Sequence, residues 1–490
     1  MYVMGIDDGT QSVKCIVYDS IKKEVIISAS ESVDLISLDG GVREQKASWW
    51  IEAIEKCFKT IGKDIISKVE AISVSGQQHG FVPMKKDGTV LYNVKLWCDT
   101  STAKECDEIT QSYGGEEKLI ANVGNPILPG YTASKILYLK KNFPALYEQM
   151  NYVLLPHDYI NYYLSGQIIM ERGDASGTGL FNLYKGQWDK ELCSTISDSL
   201  LSKLPPVLSK PSIIGKVTDN LVSNFGFDKE CVVASGGGDN MMAALGTGCV
   251  NKGDVTISLG TSGTLFTSTD FVVTDTKKRI AAFSSSHDSY LPLLCTMNCT
   301  VSTEELRNKL NLSIEEFNQK AQKAPIGACG LIFLPFLNGE RVPSLPKGEA
   351  VFGGIKLDNY TTENISRAVF EGVSMSLMPG LEAFKELGIE IKRIILTGGG
   401  SKSSLWRQII SDLTGYPVYV PQNKEGAAFG AALHALWLKE NSNISEVIKE
   451  HLSFDEEASV IPNAKNHEQY LKVYEKWVSY EQALEPIFKV

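Results

Sequence analysis

No run of about 18 apolar residues occurs anywhere in the chain, so nothing in it reads as a membrane span. Basic residues are also in short supply. The 48 Lys and Arg against 58 Asp and Glu leave a formal charge of −10, which argues against a nucleic-acid partner, because that kind of binding needs a concentrated Lys/Arg surface. Any phosphate bound here is expected to be small and locally cradled. The ten cysteines contain no C-x-x-C pair, and the closest two, Cys295 and Cys299, read as packed thiols, not as a zinc or redox site. Met1-Tyr2-Val3-Met4-Gly5-Ile6-Asp7 has neither a basic region nor an apolar stretch of signal-peptide length, so a reduced, cytosolic (cytoplasmic) protein is expected. The phosphate motif G-x-x-x-x-G-K-[ST] is absent, which excludes a P-loop, and no G-x-G-x-x-G supports a dinucleotide fold.

What remains is an ordinary globular composition, 43% hydrophobic and 22% charged over 490 residues, long enough for roughly two to four domains. One pattern occurs twice, half a chain apart. A short apolar strand runs into a Gly-Thr turn as Met4-Gly5-Ile6-Asp7-Asp8-Gly9-Thr10, and again as Thr256-Ile257-Ser258-Leu259-Gly260-Thr261. Each turn can offer backbone N–H and hydroxyl donors to phosphate, so two of them face to face would form a clamp. Asp7 adds an acid where a hydrated Mg²⁺ on a nucleotide needs one.

Strands are expected at Tyr2 to Ile6, Val13 to Tyr18, Lys22 to Ser30 and Ala71 to Ser75, with a helix over Ala47 to Ile61. The Pro-rich stretch from Leu204 to Pro211 reads as a surface connection. With a boundary near Thr247, the chain divides into lobes 1–246 and 247–490. In the second lobe a long helix over Thr362 to Leu387 is interrupted at Pro379-Gly380. A strand at Arg393 to Thr397, a helix at Ser403 to Thr414, a strand at Val418 to Val420 and an Ala-rich helix at Gly426 to Leu438 follow. This alternation predicts a largely parallel sheet with helices on its faces. The charged tail after Asn441 is helical in period and carries no evident chemistry.

Three Gly-rich strand ends are the candidate sites. Val232 to Asn240 is an apolar strand ending in three glycines, which leaves Asp239 projecting as a catalytic base or else capping a helix over Met241 to Leu245; the two Gly-Thr turns favour the base. Thr397-Gly398-Gly399-Gly400-Ser401 precedes a helix and reads as a nucleotide shelf or as a tight strand-to-helix turn. Gln77-Gln78-His79-Gly80 ends another strand with groups that both give and accept hydrogen bonds, which suits a polyol, although a lone His also serves as a structural residue. Asn338-Gly339-Glu340-Arg341, between two prolines, reads equally as a rigid cleft loop or a surface turn and receives no chemical role.

In order along the chain, Asp7-Asp8-Gly9-Thr10, Gly76-Gln77-Gln78-His79-Gly80, Trp97-Cys98-Asp99-Thr100, Pro129 to Lys135, Asp174 to Thr178, Gly237-Gly238-Asp239-Asn240, Ser258 to Ser262, Asn338 to Arg341 and Gly398 to Ser401 resemble the FGGY carbohydrate kinases of the actin-like ATPase superfamily. The resemblance implies an α/β actin-like (ribonuclease H-like) fold of two similar lobes around a central catalytic cleft. It also implies transfer of the ATP γ-phosphoryl group to a primary hydroxyl. Among these kinases the likeness is greatest to those acting on a ketopentose, the 5-hydroxyl of D-xylulose, with ribulose, ribitol or a non-catalytic ATP switch as alternatives. By the same likeness Asp239 accepts the hydroxyl proton, and Asp7 holds Mg²⁺ through water. Thr10 and the Gly260-Thr261 turn would contact the phosphates, Gly399, Gly400 and Ser401 would cradle the nucleotide, and Gln78, His79, Asp239 and Asn240 would grip the sugar. A homodimer is compatible with such a chain; no nucleic acid or membrane is expected as partner. Three positions depart from the common pattern: Asp8 stands for an apolar residue, Gln78 for Met and Ser101 for Arg.

Overall fold

Alternation of side chains across the first strand explains why it lies between two layers. The structure, a computed structural model, describes residues 1–489. In β1 (Tyr2–Asp8), Met4 and Ile6 face one side and pack with Trp50, Ile54 and Phe58 of α1 (Ala47–Ile61), while Val3 faces the other side and packs with Ala428, Phe429 and Ala432. β1 forms a hairpin with β2 (Ser12–Asp19), which pairs with β3 (Glu24–Ser32). On its other edge β1 runs parallel to β4 (Val69–Gly76), and beyond that lie β5 (Ile213–Lys216) and β6 (Val232–Ala234), with the short β7 (Gly237–Gly238) also pairing with β4.

The second half repeats this plan. β8 (Asp254–Leu259) forms a hairpin with β9 (Gly263–Thr267), β9 pairs with β10 (Leu293–Cys295), and β8 runs parallel to β11 (Arg393–Thr397), which pairs in parallel with β12 (Val418–Tyr419). The order β3-β2-β1-β4-β6 in one sheet thus answers β10-β9-β8-β11-β12 in the other, with the same pairing sense at every step. The brief Gly-Thr repeat of the sequence is the visible remnant of a whole duplicated topology.

The helices that carry or support the site are α2 (Pro156–Ser165), α3 (Arg172–Gly177), α4 (Asp239–Thr247), α5 (Thr300–Lys309), α6 (Thr362–Met375), α7 (Met378–Glu386), α8 (Ser404–Thr414), α9 (Gly426–Glu440) and α10 (Ala464–Phe488). The long helix expected over Thr362 to Leu387 with an interruption at Pro379-Gly380 is two helices, and the break falls earlier, between Met375 and Met378, because Pro379 sits in the first turn of α7, where its missing N–H and fixed φ start a helix and do not merely bend one. The tail is not idle packing material: Tyr470, Trp477 and Phe488 of α10 close the core of the second lobe. Among the described residues no helix is long and apolar enough to cross a membrane.

The lobes meet where α9 lies against the first sheet and crosses α4. A Cβ on Gly430 of α9 would lie 1.8 Å from the Met242 carbonyl oxygen, and one on Gly246 of α4 would lie 2.1 Å from the Gly426 carbonyl oxygen, so the two helices touch backbone to backbone. That contact explains the small residues of α9.

Candidate active site

Register brings the acids together. Asp7 pairs with Ser75 and Asp8 with Gly76 across β1 and β4, while Gly237 and Gly238 of β7 pair with the same Ser75 and Gly76 from the other side. The residue after Gly238 is Asp239, so all three carboxylates gather at the carboxyl ends of neighbouring strands. The helix starts at Asp239 and not at Met241, so Asp239 occupies its first turn, where Oδ1 accepts from the Asn240 backbone N–H at 2.7 Å and from Asn240 Nδ2 at 2.9 Å. Burial raises Asp7, Asp8 and Asp239 alike; Asp8, which also feels the charges of Asp7 and Asp239, is pushed well up, and Asp239, next to Asp7 and Asp174, is pushed to about 7. Asp7 accepts a hydrogen bond from Ser75 at 2.7 Å, and the buried Oδ1 of Asp8 has no hydrogen-bond partner. Such concentrated, incompletely bonded negative charge fits a hydrated divalent cation.

Asn240 links these acids to Gln78, next to His79. Its Nδ2 donates to Gln78 Oε1 at 3.1 Å, and Gln78 Nε2 is buried without a partner. The room is made by a glycine, since a Cβ on Gly238 would lie 2.7 Å from Gln78 Cγ. His79 donates from Nδ1 to the Gly177 carbonyl at 2.7 Å, which leaves Nε2 as an acceptor. Its ring lies 4.7 Å from that of Tyr131 and 5.9 Å from that of Phe283, the latter reaching over from the connection between β9 and β10. Burial, with the charges of Lys135 and Arg341, lowers His79 to about 3, so the ring is neutral at any working pH. Lys135, fully buried, donates to the carbonyls of His79 and Gly130 at 2.7 and 2.6 Å and so fixes this strand end.

The two Gly-Thr turns occupy equivalent places but are not equally engaged. Thr10 Oγ1 accepts from Trp97 Nε1 at 2.9 Å and donates to Gln77 at 3.3 Å. Thr261 is exposed at the side chain, and the Gly260 and Thr261 carbonyls instead accept from Thr300 and Cys299 N–H groups at the start of α5. After β11, Gly399 faces open space with nothing within 4 Å of a Cβ placed on it, whereas Gly400 packs on the Trp406 ring and the Ser401 hydroxyl donates to the Gly398 carbonyl at 2.7 Å. The result is a flat, exposed backbone shelf pinned from beneath, a shape that fits a nucleotide.

Residues 2–246 match the N-terminal domain, and residues 255–438 the C-terminal domain, of the FGGY family of carbohydrate kinases. The chain belongs to that family. It is 40% identical to the xylulose kinase of Haemophilus influenzae over 98% of this chain and 99% of that one. The crystal structure of a xyloylose kinase from Brucella ovis superposes with a TM-score of 0.92 at 25% identity, covering 99% of this chain and 100% of that one. A gluconate kinase from Lactobacillus acidophilus superposes equally well, TM-score 0.92, at 24% identity over 99% of this chain and 98% of that one, which shows the fold alone. ATP is the phosphoryl donor that this family of kinases implies.

Two features of this FGGY kinase escaped the sequence reading. Arg341 reaches from the second lobe to the first, its guanidinium 5.9 Å from the centre of the Trp97 ring that holds Thr10. Its loop is rigid because Glu340, nearly fully buried, accepts from the Met297 and Arg341 N–H groups at 2.8 and 2.7 Å and from Asn298 Nδ2 at 3.2 Å. The sequence signals were the two prolines around the Glu-Arg pair and the place of Asn338 to Arg341 among the motifs that carry the family resemblance. The second feature surrounds Ser101, one of the positions that depart from the common pattern. Lys95, 2% exposed, pairs with Glu44 and Asp99 at 3.0 and 3.2 Å and donates to Ser101 Oγ at 3.0 Å, so a buried cation from the preceding strand serves the Asp99 carboxylate.

Proposed function

We propose that this kinase transfers the γ-phosphoryl group of ATP to the 5-hydroxyl of D-xylulose, with Asp239 as the proton acceptor. The observation that carries this reading is Asp239 itself, oriented by Asn240 beside Asp7 and Asp8 and joined through Asn240 to Gln78. Phosphoryl transfer asks mainly for positioning and charge neutralisation, and the site offers both. Mg²⁺, held by Asp7 through water, would neutralise phosphate charge next to the acids. Asp239 takes the hydroxyl proton; Gln78, neutral His79 and Asn240 hold the sugar; Thr10 and the Gly260-Thr261 turn meet the phosphates from opposite lobes; Gly399 and Gly400 carry the nucleotide, with Ser401 holding that turn in shape. In this reading residues 1–246 supply the sugar, metal and first phosphate site, and residues 247–490 the nucleotide site. Xylulose as acceptor draws support from the Haemophilus relative, which this chain matches along nearly its full length.

A panel of D-xylulose, D-ribulose, L-ribulose, L-xylulose, ribitol, erythritol, glycerol and D-gluconate tests the acceptor, and D-xylulose should give the highest kcat/KM. Gln78, His79 and Asn240 are uncharged, so the carboxylate of gluconate would find no counter-charge among them. A clear preference for gluconate or glycerol would overturn the acceptor while leaving the kinase standing. Within the same assay, Gln78→Met should raise the KM for D-xylulose by about 10-fold, the value of one hydrogen bond to a buried group, and leave the KM for ATP unchanged.

A further inference from the structure

Behind Asp239 lies a buried polar cluster to which none of the roles above has been given. His157 and Asp158 stand in the first turn of α2 and Asp174 in α3, all three shut off from solvent. The His157 ring spans two acceptors, with Nδ1 2.6 Å from Asp174 Oδ2 and Nε2 3.0 Å from the Ser235 carbonyl oxygen. A carbonyl oxygen only accepts, so Nε2 carries a proton. The short contact at Nδ1 then holds a second proton, on the ring or on the carboxyl group, and the surroundings decide which. Asp158 Oδ1 lies 3.4 Å from Nδ1. Burial opposes a charged ring, but Asp158, Asp174 and Glu171 outweigh it and push His157 up to about 10. His434 of α9, which feels the His157 charge, is lowered to about 3, chiefly by burial, and stays neutral. These neighbours favour the second proton on the ring.

This pair is joined to the segment that delivers Asp239. Ser235 and Gly236 form the bend between β6 and β7, and the Ser235 carbonyl takes a second bond from Asn161 Nδ2 at 2.8 Å. Gly236 has φ 67°, and a Cβ on it would lie 2.4 Å from the Val74 carbonyl oxygen and 3.2 Å from His157 Cδ2, so the bend fits tightly against the histidine. Asp174 spends Oδ2 on His157. Its Oδ1 is buried with no hydrogen-bond partner, and it stands 2.9 Å from the place a Cβ on Gly238 would take, one residue before Asp239.

We propose that His157 and Asp174 are positioning residues for Asp239: the His157 ring, held between Asp174 and the Ser235 carbonyl, pins the Ser235 bend, and the unshared Asp174 oxygen stands beside the backbone that presents the proton acceptor. The inference rests on the reading of Asp239 given above. A charge on Asp174 disfavours a second one on Asp239 and so strengthens Asp239 as an acceptor.

The protonation can be read directly in protein labelled with ¹⁵N-histidine, which has six imidazoles to resolve. The resonances lost in His157→Gln identify this ring, and both of its nitrogens should show protonated shifts at pH 8; a neutral ring at that pH overturns the proposal. Kinetics supply the second measurement. Asp174→Asn and His157→Gln should each lower kcat by about 10²-fold through misplacement of Asp239. The KM values for sugar and ATP should stay within about threefold, and the double variant should be no worse than the poorer single one, because the two act as a unit. Additive losses, or losses confined to KM or to thermal stability, would leave the pair a structural brace and overturn the proposal. If Asp239→Asn keeps full turnover, the proton-acceptor reading fails and this one with it, whereas a normal Asp239→Asn loss with a neutral His157 overturns the pair alone.

Discussion

Asp239→Asn is expected to lower kcat for sugar phosphorylation by about 10²–10⁴-fold while ATP still binds, which is the usual loss when a positioned general base is removed. Asparagine preserves the size of the side chain and can still accept from Asn240, so the first turn of α4 and the link to Gln78 persist. What it lacks is the ability to take a proton. Burial and Asp7 push Asp239 up to about 7 from an ordinary 3.8, so in the free enzyme kcat/KM should fall as pH drops below about 7. The same shift has a sign for stability. The folded protein holds this proton more tightly than the unfolded chain, so stability falls as pH rises from about 4 through 7, and a neutral residue escapes that loss. Asp239→Asn should accordingly melt higher than the wild type at pH 8 and show a smaller gain at pH 5. Turnover close to wild type would reduce Asp239 to a helix-start residue; a lower melting point at pH 8 would mean that its charge is well compensated in the native state.

This combination of lost activity and gained stability is what a site built from crowded, buried acids should give. Asp7, Asp8 and Asp239 are held close against their mutual repulsion by strand pairing that the rest of the sheet enforces. The strain is local and the support is distributed.

How much of this was legible in advance follows the range of the interactions. The strands around Gly9, Gly76, Gly260 and Gly398 could be read because apolar runs ending in glycine are local patterns, and β11 begins and ends where its periodicity places it. Asp239 stood out for the same reason. The break between α6 and α7 was misplaced because a proline inside a helical pattern reads as an interruption, while the chain uses it to begin a new helix. Arg341, Phe283 and the His157–Asp174 pair could not be found that way. Each acts on a residue far along the chain, Trp97, His79 and the Ser235 bend respectively, and only the folded topology brings them together. Lys135 was visible as part of a motif, yet its work on two backbone carbonyls depends on a turn that no periodicity describes.

The second large effect is expected at the junction of the lobes. Gly430 lies inside α9, where helix propensity alone would favour alanine by about 1 kcal/mol. Tertiary contact reverses that preference, because a Cβ there would stand 1.8 Å from the Met242 carbonyl oxygen and 2.8 Å from the Gly246 nitrogen, and a backbone cannot swing aside as a side chain can. Gly430→Ala must therefore push α9 and α4 apart, at a cost of about 1–3 kcal/mol or more for overpacking a closely fitted interior. The displacement has a functional consequence as well, since α4 carries Asp239 at its first position and Met242 one turn later. A shift of this helix moves Asp239, the proposed proton acceptor, relative to Asp7 and Gln78, and misplacement by about 1 Å can cost about 10²-fold in rate. Gly399→Ala is the matching control: nothing lies within 4 Å of the added carbon, so stability should change by less than about 0.5 kcal/mol. Denaturant unfolding and kcat measured on both variants test the argument together. If Gly430→Ala unfolds at the wild-type midpoint and turns over at the wild-type rate, the two helices separate freely, and the fixed placement of Asp239 must come from the strand side of α4 instead.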